Sequence, residues 1–305
     1  MSRLAAALLL LTLAAGSAWP QARGSVDPKP LPPLAHPDDP ATPAKQLFGR
    51  KAKPTEGKPE VIGYYSKGCM AGARELPITG PTWQVMRLSR NRNWGTPQLI
   101  AFLERFSAKV PKVSKWNGIL VGDMAQPRGG PMITGHLSHQ VGLDADIWLT
   151  PMPDHELTRQ EREEMSATMI VAKDRKDVDP KAWTPSLLAV IKTAAQDHAV
   201  TRVLVNPAIK KALCREATGD RTWLYKVRPY WGHDYHMHVR IGCPPGQTHC
   251  KPQEPPADND GCGADLAKWF KPPEKPKEPV KPVKPKPPIV MADLPSACKA
   301  VLDAP

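Results

Sequence analysis

The sequence predicts an α+β fold, with a mainly antiparallel sheet flanked by helices, in a single domain that has long proline-rich flanks. Strand-like and helix-like stretches follow one another at uneven spacing between residues 61 and 243, without the regular repetition of a parallel βαβ fold. Hydrophobic residues make up 41% of the chain, enough for a sizeable core. Of the 37 prolines, ten lie in residues 20–60 and thirteen in residues 244–290, so the proline excess belongs to the flanks.

Four helices are predicted from residues that cap a helix N-terminus, three of them followed by a proline at the first helical position. The predicted starts are Thr96-Pro97, Thr158, Thr184-Pro185 and Asn206-Pro207. Thr158 and Glu161 form a capping box, and the helix that they open is expected to carry Met165 and Met169.

Four strands are predicted from short runs rich in apolar and β-branched residues, and they are Gly118–Asp123, Asp144–Leu149, Arg202–Val205 and Tyr235–Ile241. In the last strand, alternation sends Met237 to one face and both His236 and His238 to the other. The same alternation puts Asp144 and Asp146 on one face of the second strand. Two predicted strands therefore each present a pair of polar side chains on one face.

The N-terminal residues 1–18 are typical of a secretory signal peptide. Arg3 supplies a positive charge, Leu4–Ala15 is almost entirely apolar, and Gly16-Ser17-Ala18 is a small-residue cleavage site. The apolar run is too short to span a hydrocarbon core of about 30 Å, so a membrane anchor is disfavoured. The mature protein is expected to be exported, without a transmembrane segment.

The composition divides the rest of the chain into four parts. Residues 19–60 form a proline-rich N-terminal segment, and residues 61–270 form the globular domain. Residues 271–290 hold six lysines, two glutamates and eight prolines, which favours an extended tether that cannot form a core. Residues 291–305 are a C-terminal segment. A disulfide between Cys298 and a cysteine of the globular domain would hold this segment against the domain.

The formal net charge of the chain is +12, of which the tether supplies +4. No nucleic-acid binding is expected, because an exported protein does not meet nucleic acid in its compartment. The sequence also shows no aromatic residues interleaved with basic ones that could stack on bases. A polyanionic polymer of the cell wall fits the sign of the charge.

The six cysteines are Cys69, Cys214, Cys243, Cys250, Cys262 and Cys298. An even number in an exported protein favours three disulfides. A zinc site with cysteine ligands is weakly supported, because the chain has no CxxC pair. Fifteen pairings are open, and spacing favours only a local loop between Cys243 and Cys250.

Five of the nine histidines fall into two clusters, with His136 and His139 in the first and His233, His236 and His238 in the second. Two imidazoles and one carboxylate suit a divalent metal such as zinc, with a fourth position left to water. His139, Asp146 and His238 could supply that set, although spacing leaves open which of the five histidines bind. The alternative is a group of solvent-facing or hydrogen-bonded core histidines.

Other hydrolytic sites are disfavoured. His155-Glu156 is followed by Arg159 where an HExxH zinc helix needs its second histidine. The chain has no GxSxG motif and its cysteines are expected to be oxidised, so a serine or thiol nucleophile is disfavoured.

The two histidine clusters resemble the penicillin-insensitive murein endopeptidases, which belong to a wider metallopeptidase group that includes lysostaphin-type enzymes and D-Ala-D-Ala carboxypeptidases. The matching blocks run from His136 to Asp146 and from His233 to Arg240. The resemblance extends from about Ile62 to Phe270, and it includes Gly68-Cys69, Asp123, Arg128-Gly129-Gly130, residues 205–210, Lys226-Val227-Arg228-Pro229 and Asp260-Gly261-Cys262-Gly263.

The resemblance implies a role for each of these site residues. It implies His139, Asp146 and His238 as the primary zinc ligands, with His136 counted among them in some descriptions. His236 matches the position that polarises the attacking water, and His233 matches a second catalytic histidine.

A second metal, where the family has one, lies on an Asp-x-x-His pair. In this chain the pair falls on Asp174 and Asp177, so aspartate replaces the histidine and a second site is doubtful. The resemblance also implies three disulfides, Cys69–Cys298, Cys214–Cys262 and Cys243–Cys250.

The implied activity is zinc-dependent hydrolysis of the D-alanyl to meso-diaminopimelyl amide in peptidoglycan cross-links, in the periplasm. One alternative is a carboxypeptidase that trims terminal D-Ala, and another is a non-catalytic, metal-stabilised module that binds the cell wall. His233 and His236 argue against the second alternative, because metal binding alone does not need them. The preference between DD and LD cross-links and the oligomeric state stay open.

Overall fold

The structure is a computed structural model that describes residues 23–272 and 286–305. The signal peptide predicted for residues 1–18 and most of the tether predicted for residues 271–290 lie outside the described residues. Within the described ranges, no helix combines the length and the apolar character that crossing a bilayer requires.

Helices and strands are interleaved along the described chain. The helices are α1 (Ala44–Phe48), α2 (Pro97–Val113), α3 (Arg159–Glu164), α4 (Pro185–Gln196), α5 (Pro207–Glu216), α6 (Ala264–Ala267) and α7 (Ala297–Asp303). The strands are β1 (Glu60–Tyr64), β2 (Lys67–Ala71), β3 (Arg74–Glu75), β4 (Thr79–Gly80), β5 (Trp83–Val85), β6 (Trp94–Gly95), β7 (Ile119–Val121), β8 (Asp144–Trp148), β9 (Val200–Val205), β10 (Val227–Pro229) and β11 (His236–Ile241). Short 3₁₀ helices lie at Leu88–Arg90, Thr222–Lys226, Lys268–Phe270 and Met291–Asp293.

The main sheet of the described residues has the strand order β10-β9-β11-β8-β7-β5-β4. Only β10 with β9 and β5 with β7 pair in parallel, and the other neighbours are antiparallel. Two further sheets are antiparallel pairs, β1 with β2 and β3 with β6. The predicted α+β fold with a mainly antiparallel sheet is confirmed.

One face of the main sheet packs against helices α2, α4 and α5. Ala145 and Ile147 of β8 and Met237 and Val239 of β11 are fully buried in the same apolar cluster as these helices. Alternation along a strand sends the intervening residues to the opposite face. The apolar residues thus fix which way the polar residues of β8 and β11 point.

The register of β8 and β11 determines which polar residues meet. Asp146 pairs with His238, and Asp144 pairs with Arg240. Residues that face one another in an antiparallel pair project from the same side of the sheet. The four side chains therefore lie together on the face opposite the helical layer.

The four predicted helix starts are confirmed. Thr96, Thr158, Thr184 and Asn206 each accept a hydrogen bond from a backbone amide in the first turn of α2, α3, α4 and α5. At Thr158 both hydrogen bonds of the capping box are present. A side-chain oxygen at this position satisfies an amide that has no partner within the helix.

The predicted extent of α3 was wrong. The helix ends at Glu164 and does not carry Met165 or Met169. Beyond it, the Thr168 amide donates to Oγ1 of Thr150 at 2.7 Å. Hydrogen bonds to distant segments replace the helical ones, because this stretch packs along the main sheet.

A disulfide and a buried arginine hold the C-terminal segment to the domain. Cys69 of β2 and Cys298 of α7 form a disulfide. Arg128, which is 4% exposed, donates to the carbonyl oxygens of Val301 and Leu302 near the end of α7, at 3.1 and 3.0 Å. The other disulfides join Cys214 to Cys262 and Cys243 to Cys250, so the pairs are those that the resemblance implies.

Removing the Cys69–Cys298 disulfide is expected to destabilise the protein more than removing the Cys243–Cys250 disulfide. The cysteines of the two pairs are 229 and 7 residues apart in sequence. A disulfide lowers the entropy of the unfolded chain, and more so for a longer loop, so its removal should lower the free energy of unfolding by about 5 kcal/mol for the first pair and about 2 kcal/mol for the second. Denaturant unfolding of Cys69→Ser/Cys298→Ser and of Cys243→Ser/Cys250→Ser measures both losses. Equal losses would contradict stabilisation through the unfolded chain.

Candidate metal centre

Asp146 lies at the centre of a cluster of histidines. Its Oδ1 is 3.1 Å from Nδ1 of His238 and 3.4 Å from Nε2 of His139. Its Oδ2 is 3.5 Å from Nε2 of His136 and 3.6 Å from Nε2 of His236. Asp146 itself is 4% exposed. Four imidazoles thus converge on one buried carboxylate.

The loop between β7 and β8 places His139. This residue has a φ of 66°, in the left-handed region that residues other than glycine rarely adopt. Its backbone amide donates to Oδ2 of Asp144 at 3.1 Å, and its side chain is fully buried. Backbone strain held by a buried carboxylate is frequent at functional residues.

Asp144 orients His238. Oδ1 of Asp144 lies 3.0 Å from Nε2 of His238 and accepts a hydrogen bond from Nε of Arg240 at 2.6 Å. Because Nε2 of His238 is occupied in this way, its Nδ1 faces Asp146. A carboxylate on the far nitrogen of an imidazole is a common means of orienting a metal ligand.

His136 lies between two carboxylates. Its Nε2 is 3.0 Å from Oδ2 of Asp123, which also accepts from Nη1 of Arg90 at 3.0 Å and from Nη1 of Arg92 at 2.8 Å. Burial favours the neutral form of Asp123, but the His136 hydrogen bond and the two guanidinium groups hold its pKa well below the ordinary value. Asp123 is therefore a charged anchor for His136.

His233 and His236 line the cluster on the side of the short connection that leads into β11. Their ring centroids are 4.8 Å apart. His233 has a φ of 55°, and its Nδ1 lies 3.1 Å from the carbonyl oxygen of Trp231. In the neutral ring, Nδ1 donates to that carbonyl and Nε2 keeps its lone pair.

Several buried ring nitrogens in this cluster have no hydrogen-bond partner among the described residues. They are Nδ1 and Nε2 of His139 and Nδ1 of His236. Buried polar atoms without partners are rare in folded proteins, and a bound ion is one explanation. His136, His139 and Asp146 also offer ligand atoms within 4.8 Å of one another, so the donor set suits a metal ion.

Burial keeps three of the histidines neutral. It lowers the pKa of His139 to about 4 and the pKa of His233 to about 3, and it also lowers the pKa of His236. A neutral imidazole has the lone pair that metal coordination or proton uptake needs.

His238 and Asp146 form the charged part of the cluster. Burial opposes protonation of His238, but Asp144 and Asp146 outweigh it and raise the pKa of His238 to about 9. Burial also favours the neutral form of Asp146, while the imidazoles of His236 and His139 hold its pKa well below the ordinary value. A metal ion that binds here displaces the proton of His238.

Asp174 and Asp177 lie apart from this cluster and have other partners. Asp177 accepts from Nη1 of Arg215 at 2.9 Å and lies 3.0 Å from Nζ of Lys211. Asp174 is exposed, and its Oδ1 accepts from the amide of Lys176 at 3.0 Å. Among the described residues, the group that meets the geometry of a metal site is His136, His139 and Asp146.

Arg175, in the same exposed loop, contacts Asp234, the residue that follows His233. Arg175 donates to both carboxylate oxygens of Asp234, at 2.8 and 2.9 Å, and Nδ2 of Asn206 donates to Oδ1 of Asp234 at 2.6 Å. The side chain of Asp234 is thus directed to Arg175 and Asn206, and His233 is held by the carbonyl of Trp231. Sequence reasoning did not find Arg175, because no motif connects it to Asp234.

Sequence reasoning did name the histidines and Asp146, and it placed Asp144 beside them on its strand. It did not connect Arg90 or Arg92 with Asp123. These two arginines belong to a run before α2, and their common contact with Asp123 exists only in the folded chain. A narrow pocket lined by Arg90, Asp123 and His236 opens onto the cluster.

The fold and the site define a class, an α+β protein with a buried cluster of histidine and aspartate side chains that suits a metal ion. Residues 61–303 match the family described as penicillin-insensitive murein endopeptidase. Proteins described in the same words from Pectobacterium atrosepticum, Klebsiella pneumoniae and Yersinia enterocolitica are each 44% identical to this chain. The alignments cover 85%, 86% and 86% of this chain and 90%, 92% and 91% of the three relatives.

The chain therefore belongs to the penicillin-insensitive murein endopeptidase family, and it is a peptidase.

Asp144→Asn is expected to weaken metal binding by about 10- to 100-fold, since His238 loses the carboxylate that orients it. Competition with a chromophoric chelator measures the affinity. Asp179→Asn is the control, because Asp179 caps the amide of Lys181 at 2.9 Å, outside the cluster. An affinity that stays equal to that of the wild type in Asp144→Asn would contradict the orienting role.

Proposed function

We propose that this protein is a zinc-dependent endopeptidase that hydrolyses the amide between D-alanine and meso-diaminopimelate in peptidoglycan cross-links. The observation that supports it most is the convergence of His139 and His238 on Asp146, together with Nδ1 of His139, which has no hydrogen-bond partner among the described residues. Zinc favours such a set of imidazole nitrogens and one carboxylate. The names of the relatives supply the substrate class.

We assign His139, Asp146 and His238 to the zinc ion, with His136 as the adjoining histidine. When bound, zinc would supply a water acidified to a pKa of about 7 and would polarise the scissile carbonyl. The chain's own residues keep the ligands in place, since Asp144 holds His238 and Asp123 holds His136. One zinc ion is proposed, because Asp174 and Asp177 have other partners.

The proton transfers fall to His236 and His233. Nδ1 of His236 is buried and unpartnered among the described residues, so it has a lone pair or a proton to exchange. His236 takes the proton from the attacking water. That proton then passes from His236 to Nε2 of His233, whose ring centroid lies 4.8 Å from that of His236. His233 delivers it to the leaving amine, while its Nδ1 stays on the Trp231 carbonyl.

This reaction explains insensitivity to penicillin. A β-lactam inhibits by acylating a serine nucleophile, and the proposed reaction forms no acyl-enzyme. Water and histidines carry the chemistry, so the drug has no residue to acylate.

The proposed location is the periplasm, after removal of residues 1–18. The disulfides that join Cys69 to Cys298, Cys214 to Cys262 and Cys243 to Cys250 support it, because such bonds persist in oxidising compartments.

Incubation of the zinc-loaded protein with cross-linked muropeptide dimers is expected to yield monomers. His236→Ala should lower kcat by about 10²- to 10⁴-fold, because it removes the acceptor of the water proton. His198→Ala is the control, since the side chain of His198 is 83% exposed and lies outside the cluster. Liquid chromatography with mass detection measures the products.

The product masses separate the alternatives. Loss of a single D-Ala without loss of the cross-link would indicate a carboxypeptidase. No product from the wild type, with His236→Ala behaving alike, would indicate a binding module and refute the enzymatic proposal.

A further inference from the structure

A cleft of about 1190 Å³ lies beside the loop of residues 122–143, which carries His136 and His139 and is called the metal loop below. Its walls come from the β1–β2 hairpin, from residues 131–140 and from the C-terminal residues 286–297. Gly135 and Leu137, which flank His136, belong to the wall. The cleft and the metal centre therefore share one loop, although none of the proposed ligands or catalytic histidines lines the cleft.

The cleft has an apolar floor and a cationic rim. Ile62 and Met132 are buried in its floor, and Leu137, 79% exposed, stands where the cleft meets the metal loop. The charged residues of the lining are Lys45, Lys67, Lys251, Lys286 and Asp293. Four cations thus face one carboxylate, whose Oδ1 lies 3.9 Å from Nζ of Lys67.

Hydrogen bonds and a disulfide fix the walls before any ligand binds. The amide of Ala44 donates to the carbonyl of Ile289 at 2.8 Å, which ties α1 to the end of the tether. The Cys69–Cys298 disulfide ties β2 to α7. Nε2 of Gln140 donates to the carbonyl oxygens of Ser66 and Leu137, at 2.9 and 3.1 Å, which ties the hairpin to the metal loop. A preformed cleft loses little entropy when it binds a ligand.

We propose that this cleft binds one stem peptide of a peptidoglycan cross-link, through the peptide's free carboxylates. The proposal rests on the proposed function and extends it, because cleavage at the metal leaves one stem on each side of the broken amide. Small alanine side chains suit the apolar floor, and the carboxylates of the stem suit the lysines of the rim.

Other occupants fit the cleft less well. The chain's own lysine-rich residues 271–285 would bring cations against the cations of the rim. A second copy of this chain also carries a net positive charge, +12 over the whole sequence. Charge complementarity therefore selects an anionic ligand.

The test is binding of a soluble stem tetrapeptide, which has no cross-link to cleave, to the zinc-loaded protein. Lys67→Gln/Lys251→Gln is expected to raise the Kd about three- to tenfold, because each exposed charge contributes modestly. Lys181→Gln is the matched control, since Lys181 is an exposed lysine outside the cleft. Calorimetry at low salt measures the Kd, and added salt should weaken binding to the wild type more than to the double variant.

A tetrapeptide with amidated carboxylates identifies the recognised group. It should bind the wild type more weakly than the free acid does, and the double variant should distinguish the two peptides less than the wild type does. Equal Kd values for the wild type and the double variant, or for the two peptides on the wild type, would overturn the proposal.

Hydrolysis of muropeptide dimers separates this inference from the proposed function. The double variant should raise KM and leave kcat unchanged. Lysine-dependent peptide binding without any hydrolysis would refute the proposed function but agree with peptide binding in the cleft. Hydrolysis by the double variant with the KM of the wild type would refute peptide binding in the cleft.

Discussion

The antiparallel pairing of β8 with β11 is the constraint on which the site depends. Its register sets Asp146 opposite His238 and Asp144 opposite Arg240. Burial of Ala145, Ile147, Met237 and Val239 on the other face prevents a shift by one residue, because such a shift would move these apolar side chains away from the helices and the polar ones into the core. Core packing thus aligns the site.

Burying carboxylates on the polar face of the sheet destabilises the fold, and ion pairs on that face offset the destabilisation. Asp123, Asp144 and Asp146 are buried carboxylates, and an unpaired buried charge would be strongly destabilising. Each carboxylate has an arginine or histidine partner, and these partners are in turn fixed by the sheet and by the loop that carries His139. The strain at His139 and His233 shows that the loops are shaped by the site as well as by the fold.

The sequence was sufficient for the main features of the fold because they depend on local signals. The capping residues of α2 to α5 and the alternation in β8 and β11 are visible along the chain, and the structure bears them out. The end of α3 was not predictable, since it depends on hydrogen bonds with distant residues such as Thr150. Local patterns also gave no indication of the contact between Arg175 and Asp234.

In the site and its surroundings, too, local sequence patterns identify some residues, while contacts between distant segments appear only in the structure. The histidines and Asp146 could be named from their clustering, and the resemblance to a family supplied their roles. The contacts of Asp123 with Arg90 and Arg92 join segments about thirty residues apart. The basic cleft joins residues from both ends of the chain, so only the folded structure reveals that one loop serves the cleft and the metal centre.

Anomalous scattering at the zinc absorption edge, from crystals of the zinc-loaded protein, locates the metal ion. We expect one zinc ion per chain, at about 2.0–2.2 Å from ligand atoms of His139, Asp146 and His238. An ion that lies elsewhere, at Asp174 and Asp177 for example, with none among these three residues, would contradict this assignment.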